Sequence, residues 1–441
     1  MDASDSPAAA RDLGDLAQAY RRVRNQSMLL IEGLTPEDCM VQSMVEASPV
    51  KWHLAHVTWF FETFVLEKWL PRFGRQFRAF SAPYRLLFNS YYVGVGPRHP
   101  RAERGVLSRP SLEEVCRYRT AIDEQMMVLM HEADPDPAFI RLITLGINHE
   151  QQHQELILTD LKHHFSRNPL LPVFRELQPA ERGAARVSGG FVEFAGGKDQ
   201  IGHAGESFAF DNECPRHGVW VEPFKMAARL VTNAEYLQFV KDDGYRRPDL
   251  WLSDGWDAVC RERWDAPLYW LDEGGVFTLA GRQRLEPDEP VCHVSYYEAD
   301  AYARWAKARL PSESEWEHVA HCPSWDEDPL AAGPNVRGNF LEKGIFHPRV
   351  ATTQEQARNG IAQLYGDVWE WTQSAHLPYP GFEPSEGAVG EYNGKFMVNQ
   401  MVLRGGSCAT PADHIRASYR NFFYPQCRWQ FSGIRLVRHL R

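Results

Sequence analysis

Residues 149–155 read His149-Glu150-Gln151-Gln152-His153-Gln154-Glu155, inside a run from Pro137 to Phe165 whose apolar residues recur at helical spacing. At about 100° per residue, His149 and His153 stand about 40° apart on one face, one turn above the other. That is the spacing two imidazoles need to share a metal ion. Gln152 lies about 60° from His149, so its amide could reach a molecule held beside such an ion. An earlier stretch supplies Trp52-His53-Leu54-Ala55-His56, in which His56 shares an apolar stripe with Trp52, Phe60 and Phe64. An imidazole buried there needs a partner.

Working outward, the first 165 residues read as four helices. The spacing predicts helices over 11–33, over 49–70 with Ser48 as N-cap and Pro49 at the first helical position, over 111–133 with a Ser111/Glu114 capping box, and over 137–165. Each has one apolar stripe to bury, and a four-helix bundle over residues 1–170 is the economical way to bury all four. Its facing helices could bring His56, His149 and His153 onto one ion. The crossover 71–110 is too long to be mere connection.

Periodicity fades at residue 166, and residues 171–190 gather Pro, Gly and charge as a linker. Beyond it, eleven of the fourteen tryptophans fall after residue 200, among short apolar stretches broken by Gly, Pro, Asn and Asp. Residues 191–441 therefore read as an irregular α+β domain held by aromatic packing.

Composition narrows the function classes. The chain has 441 residues, 44% hydrophobic and 24% charged, with a net charge of −10 and no basic stripe. A nucleic-acid footprint is absent, and small-molecule partners are expected. The eight cysteines form no CxxC pair, which suits reduced thiols. Residues 1–15 carry acids where a secretory signal carries basic residues, and no run of 18 apolar residues occurs. The expectation is a cytoplasmic protein without a membrane span.

Two other readings of the histidines stay open at this point. His149-Glu150-x-x-His153 matches the zincin pattern of zinc hydrolases, although no Gly or third His follows at metzincin offsets. A 2-His-1-carboxylate iron site would use Glu155, which lies about 200° around the helix from His153.

The pairing of WHLAHVTWF with HEQQHQE resembles the DinB-like metal domain of the ergothioneine-pathway sulfoxide synthases, the family that also includes ovothiol and selenoneine synthases. Pro290-Val291-Cys292-His293-Val294-Ser295-Tyr296, Arg309-Leu310-Pro311-Ser312-Glu313-Ser314-Glu315-Trp316-Glu317, Gly366-Asp367-Val368-Trp369-Glu370-Trp371 and Arg404-Gly405-Gly406-Ser407 resemble its second domain, which is similar to the formylglycine-generating enzyme and to C-type lectin-like folds. The cysteine pair that formylglycine generation relies on is missing, since Cys427 is the next cysteine after Cys408.

The resemblance implies that His56, His149 and His153 ligate Fe(2+), with O2 as co-substrate, and that cysteine is coupled to hercynine (Nα-trimethylhistidine) to give a sulfoxide. Zinc could bind the same imidazoles but could not activate oxygen. It further implies Tyr91 and Tyr92, in Phe88-Asn89-Ser90-Tyr91-Tyr92, as catalytic phenols, and Arg101 and Arg104 as holders of the donor's carboxylate. Asn421, Phe422 and Phe423 are implied to face substrate, with aromatic faces suited to a trimethylammonium. Branches using γ-glutamylcysteine tend to carry Asp where this chain has Phe423, which favours free cysteine. A selenosugar donor, or histidine as acceptor, remains an alternative.

Overall fold

The computed structural model describes residues 7–132, 136–176, 185–322, 336–354, 356–357, 359–391 and 393–440, with side chains from residue 13 onward. The chain divides into two compact units, Met1–Arg167 with Glu386–Tyr392, and Asn168–Ser385 with Asn393–Arg441.

The first unit is a four-helix bundle built from α1 (Pro7–Leu29), α2 (Val50–Phe60), α3 (Leu112–Glu132) and α4 (Pro137–Ser166). Local chemistry sets several of the ends. The Asp136 side chain accepts the Ala138 N–H at 2.8 Å, with Pro137 opening α4. The Ser111–Glu114 pair forms a reciprocal cap, Ser111 N–H to Glu114 Oε2 at 2.8 Å and Glu114 N–H to Ser111 Oγ at 3.2 Å. The expected end of α3 near Ala133 lies outside the described residues.

The second helix departs from expectation in two ways. Pro49, not Ser48, holds the N-cap position, and no side chain caps it. Ser48 instead gives its N–H to Asp160 Oδ2 and its hydroxyl oxygen to Arg104. The helix also does not run unbroken to Leu70. It passes into a π-helical stretch, Phe61–Leu66, then a short turn at Glu67–Trp69. Gly146 on α4 explains the close approach here, because a Cβ at that position would lie 2.5 Å from the Phe61 ring and 2.9 Å from that of Phe60. Long-range bonds hold the stretch, as buried Glu62 accepts the Phe80 N–H at 2.7 Å and the Tyr118 hydroxyl. Such π segments recur at functional sites.

The crossover is ordered by a helical turn at Tyr84–Leu87 and a 3₁₀ segment at Arg101–Val106. Glu391, far along the chain, accepts the N–H groups of Val93 (3.0 Å) and Gly94 (2.8 Å) and so clamps the crossover within this unit.

The second unit is α+β. β4 (Phe224–Ala227) lies between β1 (Phe191–Phe194) and β12 (Val437–His439), both antiparallel to it. A second sheet runs in the order β10 (Asn421–Phe423), β9 (Met401–Arg404), β8 (Trp369–Ala375), β11 (Ser432–Gly433), with β11 parallel to β8. Two further antiparallel groups are the hairpin of β2 (Gly197–Ile201) and β3 (His217–Val221), and the meander β5 (Trp270–Leu271), β6 (Gly275–Thr278) and β7 (Gly281–Arg284).

The helices α5 (Asn233–Lys241), α7 (Tyr296–Trp305) and α8 (Glu313–His321) each open on a capping box, while α6 (Ser253–Glu262) has no side-chain cap. The motif residues are structural at the core of this unit. Fully buried Arg435 pairs with Glu370 at 2.7 Å, and Trp316 donates its indole N–H to the same carboxylate. Arg404 joins Glu313 (3.1 Å) and Glu317 (2.9 Å).

Candidate metal centre

α2 and α4 bring His56, His149 and His153 together, with one candidate ligand nitrogen from each lying within 4.8 Å of the others. His56 Nε2 and His149 Nε2 are 3.3 Å apart. Two nitrogens bound at right angles to one ion, each about 2.1 Å from it, would be about 3.0 Å apart. The three rings are buried, His153 least so at 9% exposure.

Their chemistry fits a metal. Burial pushes His149 down to about 3, and burial together with the neighbouring imidazoles holds His56 and His153 well below the usual histidine range. All three are neutral near pH 7 and keep lone pairs for a cation. The His56 Nδ1–H donates to the Phe88 carbonyl at 2.6 Å, which leaves Nε2 as its acceptor atom. Trp52 and Trp59 both stack on the His56 ring, at 4.8 and 5.7 Å between centroids.

Glu150, the would-be general base of a zincin, is engaged elsewhere. Its carboxylate takes the Arg24 guanidinium at 2.8 Å, the Ser27 hydroxyl at 2.6 Å and the Arg119 guanidinium. Burial alone would raise its pKa, but the Arg119 and Arg24 charges outweigh that and hold it down at about 2. A carboxylate held this way is an ion-pair partner and a poor base. Glu155 is half-buried and outside the three-histidine group.

The other expected site residues are placed unevenly. Arg104 is buried, stacked 3.4 Å from the centre of the Trp52 ring, and donates to Ser48 Oγ at 2.9 Å. No carboxylate lies at ion-pair distance from it among the described residues, and burial, with the Arg101 charge and against the opposing charge of Asp160, pushes its pKa down to about 8. Arg101 is exposed and donates to the Glu46 carbonyl. Tyr92 is fully buried and Tyr91 half-buried, with ring centroids 4.6 Å apart. Gln152 is half-buried on α4.

In the second unit, Asn421, Phe422 and Phe423 form β10 and are half-buried. The Phe422 ring stacks on His376 at 4.0 Å, while Phe423 packs edge-on against Trp429 at 5.8 Å. Asn421 Oδ1 accepts the Phe422 N–H.

Reading the sequence missed two residues at the centre. His53 Nδ1 lies 2.8 Å from His153 Nδ1, and His53 Nε2 lies 3.0 Å from Asp160 Oδ2. The signal was available, since Asp160 is seven residues after His153, two turns on and about 20° away around α4.

A helical bundle with converging histidines, in one chain with an α+β unit rich in buried ion pairs, makes a two-domain protein. Residues 19–157 match the DinB superfamily and residues 174–440 match the sulfatase-modifying factor enzyme 1-like domain. The chain is 33% identical to the hercynine oxygenase of Mycolicibacterium thermoresistibile, over 96% of this chain and 94% of that protein. It is also 33% identical to the hercynine oxygenase of Mycobacterium tuberculosis, over 96% of this chain and 98% of that one. The formylglycine-generating enzyme of Streptomyces coelicolor is 30% identical over 52% of this chain and 82% of its own length. The chain belongs to the hercynine oxygenase family, whose members are enzymes of the oxidoreductase class.

Proposed function

We propose that this chain is an iron(II)- and O2-dependent sulfoxide synthase that joins the sulfur of cysteine to the imidazole ring of hercynine in the cytoplasm. The observation that carries the reading is the convergence of His56, His149 and His153 in a chain similar to hercynine oxygenases over nearly its whole length. When bound by these three imidazoles, ferrous iron would supply redox chemistry with dioxygen and open positions for both substrates.

The chain's own residues supply binding and proton control. Arg104 is a buried cation with no carboxylate at ion-pair distance among the described residues, and a donor carboxylate would satisfy it by paired N–H bonds. Arg101 is the second proposed carboxylate contact, from a more exposed position. Gln152 is proposed to orient the acceptor. Tyr91 and Tyr92 hold phenolic protons, and the Tyr92 ring lies against an aromatic wall formed by Trp59 and Phe64. Asn421, Phe422 and Phe423 are the proposed substrate residues of the second unit, and Phe423 offers no carboxylate to the extra ammonium of γ-glutamylcysteine.

The test is anaerobic iron reconstitution of the full chain, then exposure to oxygen with hercynine and one donor at a time, read by product mass spectrometry. Cysteine should give the coupled sulfoxide and outcompete γ-glutamylcysteine. Turnover of a selenosugar alone would move the assignment to selenoneine synthesis, and histidine preferred over hercynine would move it to the ovothiol type. Replacing His153 with Ala should abolish iron binding while leaving the fold intact by circular dichroism.

A further inference from the structure

We infer that His53 and Asp160 form a hydrogen-bonded relay that fixes which nitrogen of His153 carries its proton, and so act as positioning residues for the metal centre. This rests on the metal reading proposed above and deepens it.

The inference follows from donor and acceptor accounting. Asp160 is buried, and its Oδ2 takes the Ser48 backbone N–H at 2.8 Å, a group that can only donate. That oxygen is therefore an acceptor. His53 Nε2, 3.0 Å from the same oxygen, must approach it as N–H. A neutral imidazole has one N–H, so His53 Nδ1 carries the lone pair. Its 2.8 Å contact with His153 Nδ1 is then an N–H donated by His153. With the His153 proton held on Nδ1, the lone pair sits on Nε2.

The alternative is that His53 donates from both nitrogens. His153 would then accept at Nδ1, carry its proton on Nε2 and lose that atom as a ligand. His56 meets the same requirement differently, by donating its Nδ1–H to the Phe88 carbonyl. One ligand is thus oriented by the crossover and another by a carboxylate–histidine pair spanning α2 and α4. Outer partners of this kind fix ring orientation and raise ligand basicity.

Two measurements on the full chain test this. In the ¹⁵N-histidine-labelled protein loaded with Zn(II) as a diamagnetic probe, long-range ¹H–¹⁵N correlation should show His153 protonated at Nδ1 and His53 at Nε2. A His153 proton on Nε2, or His53 protonated on both nitrogens, overturns the relay. In the second, His53→Phe keeps a ring but removes the acceptor, so Co(II) affinity should fall about 10–100-fold and the visible Co(II) absorption should change, with unaltered circular dichroism. Parent affinity with a parent spectrum overturns it. If His53→Phe does not fold, the tautomer measurement on the parent decides. A parent chain that binds neither Zn(II) nor Co(II) sinks the metal reading and the relay together, whereas one that binds both but shows the wrong tautomers sinks the relay alone.

Discussion

Tyr91 and Tyr92 show how one side chain can redirect its neighbours. In an extended segment adjacent residues point to opposite sides, and one phenol would be lost to the site. Here Asn89 Oδ1 accepts the Tyr92 N–H at 3.0 Å and Asn89 Nδ2 donates to the Tyr92 carbonyl at 3.0 Å, so the chain turns and the two rings lie together. Burial raises the pKa of the Tyr92 phenol, which the Tyr91 side chain partly offsets. Tyr91 is the more exposed of the two. Replacing Tyr91 with Phe should preserve binding and raise sulfinic acid relative to coupled sulfoxide, with a smaller shift for Tyr92→Phe. Product ratios and rates equal to the parent in both variants would reduce the pair to loop anchors. The sequence marked both tyrosines but not their shared side, because the turn depends on a side-chain bond from Asn89.

At the scale of elements, Glu150 ties α4 to α1 through Arg24 and to α3 through Arg119. Removing its charge would leave buried Arg24 with Asp123 alone and buried Arg119 with no carboxylate partner among the described residues, a loss of about 3–5 kcal/mol for a broken buried pair. Glu150→Gln should therefore lower the unfolding free energy by about that amount in chemical denaturation, while turnover per folded molecule stays near the parent value. Loss of turnover with metal retained and stability unchanged would restore Glu150 as a general base. The helices themselves were legible, since Pro137, the Ser111/Glu114 pair and the apolar periodicity are local signals. The shared face of His149 and His153 was legible for the same reason, because helix geometry alone sets it, whereas the approach of His56 depends on how α2 packs against α4. The π segment after Phe60 and the arginines on Glu150 were not. They depend on Gly146, Phe80, Tyr118, Arg24 and Arg119, partners distant in sequence that only the packed bundle brings near.

Across the whole molecule, most of the motif residues of the second unit build its core. Arg404, Glu317, Glu370 and Trp316 are spent on buried ion pairs and hydrogen bonds. Nothing local in residues 386–392 shows that they join the first unit, where Glu391 meets Val93 and Gly94. Both units also bury histidines outside the three-histidine group. Burial lowers His164 in the first unit; in the second, burial with Arg420 pushes His376 down to about 3, and burial with Arg416 holds His414 well below the usual range.

The sign of the consequence is fixed. Each group has a folded pKa below its unfolded value near 6.5, so as pH falls through 6.5 the unfolded chain takes up protons first. The stabilisation is present above pH 6.5 and is lost progressively toward the folded pKa values, at up to about 1.4 kcal/mol per pH unit for each group. Between pH 6.5 and 5 carboxylates in the ordinary range have barely begun to titrate, so the histidines dominate this window, although burial raises Glu62, Asp300 and Glu370 toward it. In metal-free protein, where His56, His149 and His153 act with the same sign, melting temperature should fall steadily from pH 7 to pH 5. His376→Asn should flatten that slope without removing it. A melting temperature unchanged between pH 7 and pH 5 would mean that these imidazoles do not stay neutral when buried.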